Sequence, residues 1–410
     1  MGHSLQAPAK ENEVAHHPDR DAQFRHLNAQ VEARLAAVAR SCCRLAGCAI
    51  ADFGQLSHGA ATARSGWARR EARQTHHSRD RRTTTVTLIA IEEHWIMQEL
   101  TGALRAMPIP DESLAFNEMG DHQHRLEDLG AGRIATMDAQ GIDVSILALT
   151  PPGTQPLPPV DAVRLSRAAN DLAAETVSSK PSRFRSLSTL PMSSPPDVAG
   201  ELERAADIGH VGTMVYGRSG GLFLDDPVYD DFFAAASQLR QPVFIHPQLP
   251  SAAVRDASYR GFDPTTDLAL ATFGWGWHLD AGLAALRLIL RGTFDRHPDL
   301  QIVLGHWGEM LLFWLDRANS LSRIAGLQRS VSDYMRSNFF ITTSGMLNPA
   351  LLQHALSVTS VDRLIFSTDY PFRQPTRDDI SSFLEHFSSD EEREMFSSSN
   401  AASLYGLDIG

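Results

Sequence analysis

The stretch Thr87-Leu-Ile-Ala-Ile-Glu-Glu-His-Trp95 is an apolar run that ends abruptly in Glu92, Glu93 and His94. Short apolar runs of this kind read as strands buried on both faces. Residues two apart on a strand point the same way. Glu92 and His94 therefore converge on one side, and Glu93 faces the other. A carboxylate beside an imidazole is half of a divalent-metal site. The same residues also suit a plain solvated strand end, and this stretch by itself does not choose between the two.

Downstream, apolar runs alternate with helical segments. Strands are expected over Thr87–Glu93, Asp143–Leu149, Phe184–Leu190, Val211–Tyr216, Pro242–His246, Gln301–Gly305, Phe339–Thr343 and Arg363–Thr368. Helices are expected over Leu126–Gln140, Asp161–Val177, Pro196–Ile208, Pro227–Gln238, Leu279–Phe294, Glu309–Ala325, Pro349–Leu356 and Asp378–Phe387, with a terminal helix over Asp390–Leu404. Strict alternation means a parallel sheet with helices outside. Eight such units over residues 86–410 predict a (β/α)8 TIM barrel, somewhat longer than the usual ~250 residues. The excess sits in two long connections, Trp95 to Gln123 and Pro247 to His278. Both follow strands, so both belong to the barrel face that carries active sites. An open doubly wound sheet is the competing architecture, but no strand is followed by a glycine-rich phosphate loop.

In a barrel, chemistry gathers at the C-terminal ends of the strands. The first ends in Glu92-Glu-His94, the fifth in His246-Pro247, and the eighth in Ser367-Thr-Asp369-Tyr-Pro371; the sixth runs into His306-Trp-Gly-Glu309. The seventh offers Thr342, Thr343 and Ser344, and the remaining ends offer little. A lone histidine at a strand end is usually a hydrogen-bonded core residue. Four polar ends aimed into one mouth instead point to a shared metal site. Glu92, His94, His246 and Asp369 form a mixed nitrogen and oxygen set suited to one divalent ion, Zn²⁺ or Mn²⁺. The chain has only two lysines, Lys10 and Lys180, and neither lies near the end of the fourth strand. Without a lysine there to bridge a second ion, a mononuclear site is expected.

The composition narrows the partners. The 410 residues are 43% hydrophobic and carry a net charge of −12, which argues against nucleic acid. No apolar run approaches the ~20 residues of a membrane span. Residues 1–85 hold 13 Lys and Arg against 8 Asp and Glu, a net of +5, which leaves −17 for residues 86–410. All three cysteines, Cys42, Cys43 and Cys48, fall in this basic segment, and the adjacent pair lacks zinc-site spacing. Residues 1–85 read as a loosely ordered extension with one helix over 22–51. No signal peptide is expected, because no basic segment leads into an apolar core. A thiol-free barrel fits a reducing compartment, the cytoplasm.

As a set, Ile91-Glu-Glu-His94, Phe244-Ile-His-Pro247, Val303-Leu-Gly-His-Trp-Gly-Glu309 and Phe366-Ser-Thr-Asp-Tyr-Pro-Phe372 resemble the amidohydrolase superfamily in its amidohydrolase 2 branch. Gly292-Thr-Phe-Asp-Arg-His-Pro298 and the closing Asn400-Ala-Ala-Ser-Leu-Tyr-Gly406 are similar to that branch too. The resemblance covers roughly residues 86–407. Most of the superfamily opens with His-x-His, whereas here the first position is Glu92. That departure resembles hydroxybenzoate decarboxylases of the gamma-resorcylate (2,6-dihydroxybenzoate) type; aminocarboxymuconate semialdehyde decarboxylases keep the histidine.

The resemblance implies a metal-dependent decarboxylase of a small hydroxylated aromatic acid, serving aromatic catabolism as a homodimer or homotetramer. It implies that Glu92, His94, His246 and Asp369 bind the metal, that His306, oriented by Glu309, contacts the substrate, and that Asp369 delivers a proton to the ring. Trp95, Phe273, Trp275 and Phe372 are the expected aromatic lining. Arg317, eleven residues after His306, is a candidate for the substrate carboxylate, reached within the chain or across a subunit interface; the alternative is a plain surface arginine on a helix. The alternative on the same barrel is a metal-dependent hydrolase of a lactone, amide or ester, with Asp369 as general base.

Overall fold

The computed structural model describes residues 87–109 and 111–408. The helix expected over 22–51 and the three cysteines lie outside the described residues. Eight strands form one parallel sheet: β1 (Ile89–Trp95), β2 (Val144–Leu149), β3 (Phe184–Thr189), β4 (Gly212–Tyr216), β5 (Val243–His246), β6 (Ile302–Leu304), β7 (Phe339–Thr342) and β8 (Leu364–Ile365). Each pairs with the next in chain order. The ring closes where Ile91 bridges Ser367 and the Ile91 N–H donates to the Phe366 carbonyl at 3.3 Å.

The outer helices are α1 (Ala131–Gln140), α2 (Pro159–Ser179), α3 (Pro195–Asp207), α4 (Asp230–Gln238), α5 (Gly276–Leu290), α6 (Val331–Asn338), α7 (Pro349–Val358) and α8 (Arg377–Leu384). Their ends follow local chemistry. Proline opens α2, α3 and α7, where its missing N–H loses nothing. Reciprocal capping boxes open α6 (Ser330 with Asp333) and α8 (Thr376 with Asp379). Gly141, at φ 81°, ends α1 in the left-handed region that glycine adopts without penalty.

Two apolar layers result. Ile89, Ile91, Ile146, Ala148, Leu187, Met214, Phe244, Val303 and Ile365 fill the barrel interior. A last helix, α9 (Asn400–Tyr405), adds Ala401, Ala402 and Tyr405 to that cluster. Tyr405 lies against Gly212, the first residue of β4, so α9 plugs the end opposite the strand C-termini. The larger layer lies between sheet and helices and includes Ala90, Leu147, Val215, Ile245, Leu288 and Phe339.

The alternation of β1 is broken at one point. Ala90 pairs with Ser145 but Glu93 pairs with Leu147, so β1 places three residues against two. Such a bulge inserts one residue and shifts the phase of the strand. Glu92 takes it up at φ 67°. Plain alternation from Ile89 would have turned Glu93 inward. With the bulge, Ile91 and Glu92 both face the barrel, Glu93 faces the helices, and His94 faces in again. Glu93 there accepts from the backbone N–H of Thr368 at 3.0 Å and from its hydroxyl at 2.8 Å.

Several elements depart from expectation. The helix expected over Glu309–Ala325 is broken into short pieces, because Trp307, Gly308, Glu309 and Met310 all have positive φ. β8 stops at Ile365; Thr368 gives its N–H to Glu93, and Phe366 gives its own to the Phe396 carbonyl. That carbonyl lies in a π-helical segment, Met395–Ser399, which interrupts the expected terminal helix. A small hairpin, Arg218–Ser219 with Leu222–Phe223, follows β4. The long connection after β1 contains helices Gln98–Arg105 and Leu114–Asn117, and that after β5 contains Ala252–Ser258 and Pro264–Ala271. The two connections meet through Arg255 and Glu112, 2.7 Å apart.

Candidate active site

Glu92, His94, His246 and Asp369 each bring one ligand atom to a common point, all within 4.8 Å of one another. β1 supplies the first pair, β5 ends in His246, and Asp369 follows β8 in left-handed backbone at φ 60°. The His94 Nε2 lies 3.3 Å from Asp369 Oδ1, and His246 Nε2 lies 3.7 Å from Glu92 Oε1. His246 turns its Nδ1 to the Pro247 carbonyl at 2.8 Å, which places the proton there and leaves Nε2 as a lone pair facing the cluster. Burial pushes the imidazolium form of His246 well out of its ordinary range, so it stays neutral.

Glu92 is fully buried and held through one oxygen only. Its Oε2 accepts from Ser344 Oγ at 2.6 Å, from Thr342 Oγ1 at 3.1 Å and from Ser367 Oγ at 3.1 Å. Among the described residues its Oε1 has no hydrogen-bond partner, and neither has either ring nitrogen of His94. Buried polar atoms left in this way normally have a missing partner. Glu92 Oε1, His246 Nε2, an Asp369 oxygen and a His94 ring nitrogen converge here, and that is the arrangement a cation satisfies. Two carboxylates and two imidazoles suit a divalent ion with open positions for other ligands. With no cation present, burial and the facing Asp369 and Glu309 raise Glu92 to about 8, despite His306 and Ser344.

Beside this cluster stands a second one. His306 Nδ1 and Glu309 Oε1 are 2.8 Å apart, and His278 Nδ1 and Glu309 Oε2 are also 2.8 Å apart. The His306 Nε2 points at Asp369 Oδ2, 3.9 Å away. Burial works against charge on both partners, yet the buried pair holds His306 up at about 10 and Glu309 down at about 2. Ser344 joins the clusters, since its Oγ accepts from the His306 N–H at 2.8 Å while donating to Glu92. Gly305 lies between them: a Cβ there would come within 3.0 Å of Glu92 Oε1 and 3.1 Å of Glu309 Oε1. Glu92, His306, Glu309, Ser344 and Asp369 all have positive φ, an uncommon backbone state that gathers at functional sites.

Of the expected aromatic lining, Phe372 packs 5.7 Å from the His94 ring. Phe273 meets Phe116 edge-on at 5.4 Å, and Phe116 also meets Trp277 at 5.7 Å. Trp275 is 44% exposed at the start of α5. Trp95 does not line the mouth. It follows inward-facing His94 by one residue, so it turns outward and is buried in the layer under the helices. Arg317 is exposed on the helix Leu315–Ala318, outside both clusters. Sequence reasoning missed His278 and Phe116, which reach the site, together with Trp277 of the stretch Phe273-Gly-Trp-Gly-Trp277, from the two long connections. It also missed Arg133 of α1, which is fully buried, donates to the His94 carbonyl and stacks 4.4 Å over the Tyr370 ring.

Residues 111–407 match the sequence profile of a family described as amidohydrolase. The chain belongs to the amidohydrolase family. This amidohydrolase is 33% identical over 342 residues to gamma-resorcylate decarboxylase of Rhizobium sp., spanning 78% of this chain and 98% of the relative. It is similar in structure to 5-carboxyvanillate decarboxylase LigW from Sphingomonas paucimobilis, with a TM-score of 0.72 and 32% identity over 79% of this chain and 100% of the other. Dihydroxybenzoic acid decarboxylase from Polaromonas sp., solved with bound manganese and the inhibitor 2-nitroresorcinol, superposes with a TM-score of 0.68 and 31% identity over 78% and 97% of the two chains. No helix among the described residues of the amidohydrolase is long and apolar enough to cross a membrane.

Proposed function

We propose that this amidohydrolase is a carboxy-lyase that removes CO₂ from a small hydroxylated aromatic acid of the 2-hydroxybenzoate type, without oxidation. The observation that carries this reading is the inward carboxylate Glu92 on β1, set in one cluster with Asp369, which in turn faces His306. Glu92, His94, His246 and Asp369 would hold one divalent ion, Zn²⁺ or Mn²⁺, which would supply positive charge to the substrate's carboxylate and ortho oxygen.

The chain's own groups account for the remaining chemistry. Direct loss of CO₂ from an aryl carboxylate would leave an unstabilised aryl anion. Protonating the ring carbon first avoids it, and the ortho hydroxyl feeds electrons to that carbon. Asp369, at the mouth between His94 and His306, delivers that proton. The new C–H bond forms and the ring loses aromaticity. The bond to the carboxylate then breaks, its electron pair returns to the ring, CO₂ departs, and Asp369 regains its proton from solvent. His306 presents Nε2–H to the substrate oxygens, with Glu309 fixing the ring and favouring its positive charge. Phe372 and Phe273, with Phe116 and Trp277, offer an apolar slot for the ring.

We assign this activity to residues 86–410, with residues 1–85 outside it. A cytoplasmic homodimer or homotetramer fits the exposed Phe313, Trp314 and Leu283, at 57%, 66% and 50% exposure. The deciding experiment offers a panel of 2-hydroxybenzoates to the metal-loaded protein and measures CO₂ and the phenolic product. Stoichiometric release supports the decarboxylase. No release, together with turnover of a lactone, amide or ester, would assign the barrel to hydrolysis.

A further inference from the structure

We infer that His278 is a positioning residue that locks the Glu309 carboxylate and, through it, the ring of His306. The inference rests on the reading of His306 and Glu309 just given. Glu309 is fully buried and uses one oxygen for each imidazole, 2.8 Å to His306 and 2.8 Å to His278. A carboxylate with one partner can turn about its last bond. With both oxygens engaged, each by its own imidazole, its plane is fixed, and so is the ring that leans on it. The His278 ring also stands 4.5 Å from that of His306, inclined by 60°, and limits its swing.

His278 is itself well anchored. It is the third residue of α5, and its Nε2 accepts from the Trp277 indole N–H at 3.1 Å. The Phe273 carbonyl also lies 3.1 Å from this Nε2, and the Glu309 carboxylate, which can only accept, calls for the proton on Nδ1. One turn further along α5, Gly282 packs on the Glu309 carbonyl so tightly that a Cβ there would come within 2.3 Å of it. Helix α5 therefore holds Glu309 at two points, side chain and backbone. Trp277, the neighbour of His278, packs on Phe116. His278 thus ties the aromatic roof to the His306–Glu309 pair. The 2.8 Å contacts have hydrogen-bond lengths, which favours this role over a second ion shared by the three side chains.

The test compares wild type, H278A and H278N in the metal-loaded full-length protein. Asparagine places an N–H close to the position of the histidine Nδ1, whereas alanine removes it. H278A should lower kcat about 10- to 100-fold, with KM moved less than about threefold and one metal per chain retained. H278N should recover to within about threefold of wild type. The Nδ1–H proton resonance of His306, read by NMR, should be sharp in wild type and H278N and broadened or lost in H278A. Wild-type kcat in H278A, or H278N as impaired as H278A at equal thermal midpoint, would overturn the proposal. Loss of metal from H278A would do the same. The NMR comparison stands even if wild type turns over no aromatic acid, and an unchanged His306 signal in H278A then refutes the positioning role by itself.

Discussion

Replacing Glu92 by glutamine in metal-stripped protein tests the electrostatics of the site. Without a cation, burial lifts Glu92 from the ordinary 4.5 to about 8. Between those values the folded chain keeps a proton that the unfolded chain has released. Stability is therefore fully present below 4.5, falls as pH rises, and levels off above about 8. Each pH unit removes about 1.4 kcal/mol, so the window amounts to roughly 5 kcal/mol. Glutamine matches the neutral carboxyl in shape and does not titrate. Urea unfolding of both proteins from pH 5 to 9 should show wild type losing ground against E92Q as pH rises. Glu93, raised by its own burial to about 7, contributes the same slope to both and cancels in the difference. Adding Zn²⁺ or Mn²⁺ should restore wild type and leave E92Q unmoved, because the ion requires the ionised carboxylate. A constant difference between the two proteins across this range would refute the reasoning.

Other outcomes follow from the same geometry. D369N should lower turnover by about three orders of magnitude, measured as CO₂ release; full activity would remove Asp369 from the mechanism. G305A keeps a backbone that alanine adopts easily, φ −73° and ψ −175°, but crowds Ser344, Glu92 and Glu309 at 2.9 to 3.1 Å. It should lose about tenfold in activity while its thermal midpoint stays near that of wild type, and an unimpaired G305A would mean the two carboxylates have room to move. Elemental analysis should find one metal per chain; two would overturn the argument from the missing lysine.

The barrel was legible because its strands are buried on both faces and so appear as unbroken apolar runs between helical segments. The polar strand ends stood out against those runs, which is why Glu92, His94, His246 and Asp369 could be grouped before their distances were known. Of the residues recruited by the long connections, Phe273 was legible as an aromatic in the loop after the fifth strand, whereas Phe116 and His278 were not. His278 lies 28 positions before His306, and no local pattern links them. Helix α6 was missed although its capping box, Ser330 to Asp333, is written in the sequence. The break after His306 was missed because the apolar run Met310-Leu-Leu-Phe-Trp-Leu315 reads as helix, whereas the site needs left-handed backbone at that corner. Trp95 was misplaced by proximity to His94, when its parity already turned it away.

The three-against-two pairing of β1 has a consequence for how such a site can be gained or lost. The ladder is in register before Ala90 and again from Glu93 onward. Remove Glu92, and the strand becomes regular: Ile91 stays inside, Glu93 outside, His94 inside. Every other side chain keeps its face. The carboxylate is thus a supernumerary residue in a strand that would be complete without it. A single in-frame codon separates this centre from a barrel of the same topology that lacks its first ligand, and the residues left to register the change are Thr342, Ser344 and Ser367, whose buried hydroxyls would lose their acceptor.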